Sequence, residues 1–121
     1  MAAETKRILI VEDEPSLLGL LSLYFSSQLG WEVTAVSDGT AALAAFETGR
    51  FHTLLADVDL GDGPNGIEVA TRLRAQHPPL KVVIMSGEPK NEARARAADI
   101  ETFVPKPFDL PELGTAVCCE P

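Results

Sequence analysis

From Lys6 to Val11 the chain reads Lys-Arg-Ile-Leu-Ile-Val, and nothing polar interrupts the run after Arg7. So short an apolar, β-branched stretch predicts a strand buried on both faces, the setting of a parallel sheet covered by helices. Parallel neighbours need a long crossover, usually helical, and such a segment follows each run. Glu14-Pro15 opens a helix, since proline suits the first turn and an acid suits its dipole. Leu17, Leu18, Leu21, Tyr24 and Phe25 then recur at helical spacing until Gly30. Trp31 to Val36 predicts a second strand, Ser37-Asp38-Gly39 a cap, and Ala42, Leu43, Ala45 and Phe46 a helix to Gly49. His52 to Asp57 predicts the third strand. Beyond a loop rich in Gly and Asp, Ile67, Val69, Ala70 and Leu73 mark a helix that ends before Pro78-Pro79. Lys81 to Met85 predicts strand four, Glu92 to Ala98 a short polar helix, and Ile100 to Val104 strand five. A last helix runs from Leu110 with Leu113 and Val117 on one face.

Five strands alternating with five helices place the chain in the doubly wound α/β class, with a five-stranded parallel sheet. A length of 121 residues suffices for one core and not for two, so residues 1–121 are expected to form a single domain. Ten Lys and Arg against 18 Asp and Glu give a formal charge of -8, which repels polyanions, so direct nucleic-acid binding is not expected. The longest apolar stretch, Leu17 to Phe25, is broken by Gly19 and Ser22 and falls far short of a membrane span. Met1 to Arg7 carries no apolar signal core, and a cytoplasmic protein is expected. Cys118 and Cys119 are adjacent, so they support neither a long-loop disulfide nor a two-by-two zinc spacing and are expected to be reduced and incidental.

In doubly wound sheets the site lies at the carboxyl ends of the strands. The residues there are Glu12 and Asp13 after the first strand, Asp57 ending the third, Ser86 after the fourth and Lys106 after the fifth. Taken singly, each has an ordinary reading: a helix cap for the acidic pair, a turn for Asp57 or Ser86-Gly87, a solvated charge for Lys106 between two prolines. Their joint placement at strand ends points instead to one constellation. Clustered carboxylates suit a hard divalent cation, and Mg²⁺ keeps room for phosphate oxygens among few protein ligands. Glu12, Asp13 and Asp57 are therefore candidate ligands, with Lys106 and the Ser86 hydroxyl to neutralise a phosphoryl group and Asp57 as its nucleophile. Arg72, Arg74, Arg94 and Arg96 read as solvated helix faces. His52 and His77 have no partner at metal-ligand spacing, and no Gly-rich nucleotide loop follows the first strand.

The runs Ile8-Leu9-Ile10-Val11-Glu12-Asp13-Glu14-Pro15, Leu54-Leu55-Ala56-Asp57-Val58-Asp59-Leu60 with Gly66, Val83-Ile84-Met85-Ser86-Gly87 and Phe103-Val104-Pro105-Lys106-Pro107-Phe108 resemble the receiver domain of bacterial two-component response regulators. The resemblance extends from Ile8 to about Val117. It implies a flavodoxin-like (βα)5 fold with strand order 2-1-3-4-5, the order of the chemotaxis regulator. It implies Asp57 as phospho-acceptor, and Mg²⁺ bound by Glu12, Asp13, Asp57 and the backbone carbonyl of Asp59. It further implies Ser86 as the hydroxyl that turns toward the phosphoryl group, Phe103 as the aromatic switch and Lys106 as the phosphate-binding cation before a cis proline. Asp59 and Glu88 match positions that tune dephosphorylation. The implied partners are a sensor histidine kinase or phosphotransfer protein as donor, and a downstream protein target or an output domain as receiver of the signal. Such a module catalyses only its own phosphorylation and dephosphorylation and is not otherwise an enzyme. The chain departs from the family pattern where Gly61, not proline, follows Leu60, and where Asp62-Gly63-Pro64-Asn65 makes the loop about one residue longer. Two alternatives stand beside this reading. Asp57-Val58-Asp59-Leu60 mimics the acid pair of haloacid-dehalogenase-like phosphohydrolases, although there the pair follows the first strand. A receiver-shaped interaction module that is never phosphorylated would ordinarily lack the acids or the lysine.

Overall fold

The computed structural model describes residues 5–118. Its elements are β1 (Arg7–Val11), α1 (Pro15–Leu23) continued by a π-helical turn (Tyr24–Gln28), β2 (Glu32–Val36), α2 (Gly39–Thr48), β3 (Thr53–Asp57), α3 (Gly66–Gln76), β4 (Lys81–Ser86), α4 (Lys90–Ala97), β5 (Thr102–Pro105) and α5 (Leu110–Cys118). The five strands form one parallel sheet in the order β2-β1-β3-β4-β5. This is the doubly wound topology with its reversal of direction between β1 and β3.

Side chains alternate across the strands, so each face of the sheet gathers its own core. Leu9, Val11, Leu54, Ala56 and Ile84 pack with Ala42, Val69, Ala70, Leu73 and Ala95 from α2, α3 and α4. Ile8, Ile10, Leu55, Val83 and Met85 pack with Leu21, Phe25, Leu113 and Val117 from α1, its π-helical extension and α5. The uninterrupted apolar runs of β1, β3 and β4 are explained by burial on both faces. β2 stands at an edge, and its Glu32, Thr34 and Ala35 are exposed.

Three segments differ from the pattern read in the sequence. The first helix widens at Tyr24, where Leu29 N–H donates to the Tyr24 carbonyl at 3.3 Å, and this lets Phe25 and Tyr24 both turn inward. α4 begins at Lys90, two residues before the expected Glu92. β5 begins at Thr102 and not at Ile100, because Ile100 still belongs to the exit of α4. Ile100 N–H donates to the Ala95 carbonyl at 2.9 Å and Asp99 N–H to the Arg96 carbonyl at 3.0 Å, the two bonds of a Schellman stop. Asp99 takes the left-handed position there, with φ 61°. A stop built on Asp where Gly is usual gives little sequence signal.

Arg74 corrects a further expectation. It is not a solvated charge: its guanidinium reaches from α3 to donate to the Ala98 carbonyl at 2.6 Å and the Asp99 carbonyl at 2.9 Å. Arg72 is exposed, and Arg96 pairs with Glu92 one turn away at 2.8 Å. Among the described residues no helix is long and apolar enough to cross a membrane. Cys118 is a free, exposed thiol, and Cys119 lies outside the described residues.

Candidate functional site

The site is built at the carboxyl ends of β1, β3 and β5. Val11 lies beside Ala56, and Asp57 beside Met85, in the sheet register, so the residues that follow β1 and end β3 emerge side by side. Glu12 is 1% exposed and Asp57 5%, an uncommon depth for two carboxylates. Lys106, immediately beyond β5, is fastened at its main chain by a bond from its N–H to the Ser86 carbonyl at 2.9 Å. From there its ammonium donates to Glu12 Oε1 and to Asp57 Oδ2, each at 2.8 Å. These are charge-assisted bonds at short range, the strong kind.

The remaining carboxylate oxygens are held by the backbone. Glu12 Oε2 accepts from Glu14 N–H at 3.1 Å, and Asp57 Oδ1 from Asp59 N–H at 3.2 Å. Glu14 itself caps α1, accepting from Ser16 and Leu17 N–H. Asp13 is exposed beside them, and oxygens of Glu12, Asp13 and Asp57 all lie within 4.8 Å of one another. Burial pushes the Glu12 carboxyl above its ordinary range, against the bonds from Lys106 and Glu14, with the Asp57 charge adding to the rise. Burial acts to lower Lys106, but its bonds to Asp57 and Glu12 and their charges outweigh this and hold the ammonium above its ordinary value. Three carboxylates crowd one cation here, so the group carries excess negative charge. That is the donor set a hard divalent ion fits: oxygen-only, partly open on the Asp13 side.

The other residues singled out in the sequence fall around this centre. Ser86 ends β4 and is buried, with its Oγ accepting from Glu88 N–H at 3.0 Å. Glu88 and Asp59 are exposed in the rim. Phe103 is half-buried on β5, beside Ile84 and against the core that α3 and α4 share. The Lys106–Pro107 peptide is cis, as expected. The loop between Asp57 and α3 is closed at its neck by a bond from Gly66 N–H to the Val58 carbonyl at 3.0 Å, and Gly61 and Gly63 take the left-handed conformation within it. Asn65 and Glu68 then cap α3 reciprocally.

Sequence reasoning missed Asn91. It is fully buried at the start of α4, where its amide donates to Ser86 Oγ at 2.9 Å and accepts from Arg94 at 2.7 Å. An Asn in a polar helix carries no sign that it will be the residue facing inward. The same bond makes Arg94 more than a solvated charge.

Residues 8–118 match the model of the response regulator receiver domain. The "Probable transcriptional regulatory protein TcrX" of Mycobacterium tuberculosis is 32% identical over 108 residues, spanning 88% of this chain and 45% of the relative. The "Uncharacterized transcriptional regulatory protein YkoG" of Bacillus subtilis is 34% identical over 112 residues, spanning 91% and 48%. This chain thus spans less than half the length of these curated relatives. Among solved structures, a response regulator receiver protein of Sinorhizobium medicae superposes with a TM-score of 0.85 at 29% identity, covering 96% of this chain and 94% of the other. The response regulator TrrA of Thermotoga maritima, solved in complex with Mg(2+)-BeF, gives 0.81 at 27% identity and covers 91% and 94%.

Proposed function

Because the chain belongs to the response regulator receiver family, we propose that it is a single receiver domain whose Asp57 accepts a phosphoryl group from the phosphohistidine of a sensor kinase or phosphotransfer protein. The observation that carries this reading is Lys106 bridging Glu12 and Asp57 at 2.8 Å, with Asp13 completing the carboxylate group. In the transfer an Asp57 oxygen attacks phosphorus, a P–O bond forms and the P–N bond to the donor histidine breaks. Little covalent chemistry falls to the protein, so its residues act by position and charge. Glu12, Asp13, Asp57 and the Asp59 carbonyl would hold Mg²⁺, which when bound neutralises the carboxylates and the transferred oxygens. Lys106 exchanges its bond to Asp57 for one to a phosphoryl oxygen. Ser86 turns its hydroxyl to another oxygen, and Phe103, half-buried in the unmodified protein, moves inward behind it. The domain is then a two-state switch, biased by a covalent charge, and its changed surface is read by a downstream protein or by an output domain. Asp59 and Glu88, exposed at the rim, set how water reaches the acyl phosphate.

The test is incubation with Mg²⁺ and acetyl phosphate, followed by intact mass with Asp57→Asn as control. One base-labile phosphoryl adduct that requires Mg²⁺ and is lost in the variant supports the reading. Continuous turnover of unrelated phosphomonoesters overturns it in favour of a phosphohydrolase.

A further inference from the structure

α4 has little hydrophobic hold on the sheet. Of its eight residues only Asn91 and Ala95 are buried, and its cap residue Pro89 makes no side-chain cap bond. A helix so short is not stable alone, and one methyl group is a small anchor. Polar ties at its two ends hold it instead. At the carboxyl end the Arg74 guanidinium binds the Ala98 and Asp99 carbonyls. At the amino end Asn91, 0% exposed, donates to Ser86 Oγ at 2.9 Å, while its own carbonyl oxygen accepts from Arg94 at 2.7 Å. A hydroxyl oxygen accepts two bonds and donates one. Glu88 N–H and Asn91 together fill the acceptor capacity of Ser86 from the α4 side.

We propose that Asn91 is a positioning residue that acts through Ser86, tying the first turn of α4 to the hydroxyl so that its turn toward a phosphorylated Asp57 releases the helix. The inference rests on the receiver reading. When the hydroxyl leaves, the Asn91 amide is a buried donor without an acceptor, a costly state that is relieved by letting the first turn open to water. The phosphoryl group thereby loosens α4 at its amino end while Arg74 keeps the carboxyl end in place. The same tie opposes the switched state, since binding a phosphoryl group has to break it.

Hydrogen exchange and titration with Mg²⁺ and beryllofluoride, a phosphoryl mimic, test this in wild type, Asn91→Ala, Asn91→Leu and Ser86→Ala. The informative amides are those of Asn91 and Glu92, which bond to the Glu88 and Pro89 carbonyls. Without mimic, all three variants are expected to exchange these amides about ten-fold faster than wild type, and wild type to reach a similar rate once the mimic is bound. Asn91→Ala and Asn91→Leu are expected to bind the mimic about five-fold more tightly, a gain that structural damage would not produce. Leu keeps the branching at Cγ and leaves no cavity, so the test survives if Ala unfolds the helix. Unchanged or weaker mimic binding in Asn91→Leu, or wild-type amides that stay equally protected with mimic bound, overturns the proposal. If wild type does not bind the mimic, the receiver reading fails. The tie is then judged by Ser86→Ala alone, where unaltered exchange overturns it and faster exchange supports it.

Discussion

Replacing Gly66 by Ala tests whether α3 and the acceptor strand are as close as the structure makes them. A Cβ at Gly66 would lie 2.1 Å from the Asp57 carbonyl oxygen, 2.7 Å from its carbon and 3.2 Å from Val58 Cα. All three are backbone atoms, and separations under 3.0 Å are essentially never observed, so the first turn of α3 has to retreat by about 1 Å. That movement strains the bond from Gly66 N–H to Val58 O, now 3.0 Å. Overpacking of this kind costs about 1–3 kcal/mol, and weakening the neck bond adds about 1 kcal/mol. Helix propensity works the other way and favours Ala by about 1 kcal/mol. The net expectation is a loss of about 2 kcal/mol. With a urea slope of about 1.5 kcal/mol/M the denaturation midpoint falls by about 1.3 M at unchanged slope. Because the backbone atom pressed upon belongs to Asp57, Mg²⁺-dependent phosphorylation by acetyl phosphate should slow even where the variant is fully folded. A midpoint equal to or above wild type would refute the steric argument, since propensity alone predicts that direction.

Other expected outcomes follow from the same structure. Gly114→Ala meets only the Tyr24 ring, with its hydroxyl at 2.7 Å, so a small side-chain shift absorbs it and the urea midpoint should move by less than about 0.5 kcal/mol equivalent. Lys106→Ala removes two 2.8 Å bonds from buried carboxylates. Partial exposure of the ammonium limits the cost to about 2 kcal/mol at pH 7 in urea unfolding without metal. Glu12 has its carboxyl raised above 4.5, chiefly by burial, so the native state keeps a proton that the unfolded chain has lost. Its contribution to stability is full below pH 4.5 and declines as pH rises through the native value, and Glu12→Gln should flatten that decline in urea midpoints measured without metal from pH 4 to 7. Asp99→Gly relieves a left-handed residue at φ 61° and should stabilise by about 0.5 kcal/mol, read from thermal unfolding, with a loss of stability contradicting the Schellman assignment.

Much of this fold is legible in local chemistry. The run Ile8 to Val11 is buried throughout, as an unbroken apolar strand requires, and Asp57, Ser86 and Lys106 stand at strand ends, where each apolar run gives way to a polar residue. Glu12 and Lys106 needed more than pattern, since a carboxylate after a strand reads as a cap and a lysine between prolines as a loop charge. Two of the misread residues, Arg74 and Asn91, have decisive partners on other elements. Arg74 is a helix-surface arginine by spacing, yet the end of α4 lies within its reach, 24 and 25 residues away. Asn91 sits among charged neighbours, yet it is the one polar side chain of α4 that the sheet covers. The Asp99 stop was hidden because its stability comes from the bonds around it and not from the residue type usual there.

By itself the sequence determined the alternation of strands and helices, and the carboxyl end of each strand to within one residue, because side-chain period and backbone preference are set within a few neighbours. Strand order lies beyond local pattern: the family resemblance implied it, and only the tertiary structure sets β1 between β2 and β3 with β5 at the far edge. That order brings Lys106 to Glu12 across 94 residues and to Asp57 across 49. No local term encodes those distances: they arise when five separately formed strands pack in the one order that buries both faces of the sheet, and the charges at their ends are then forced together.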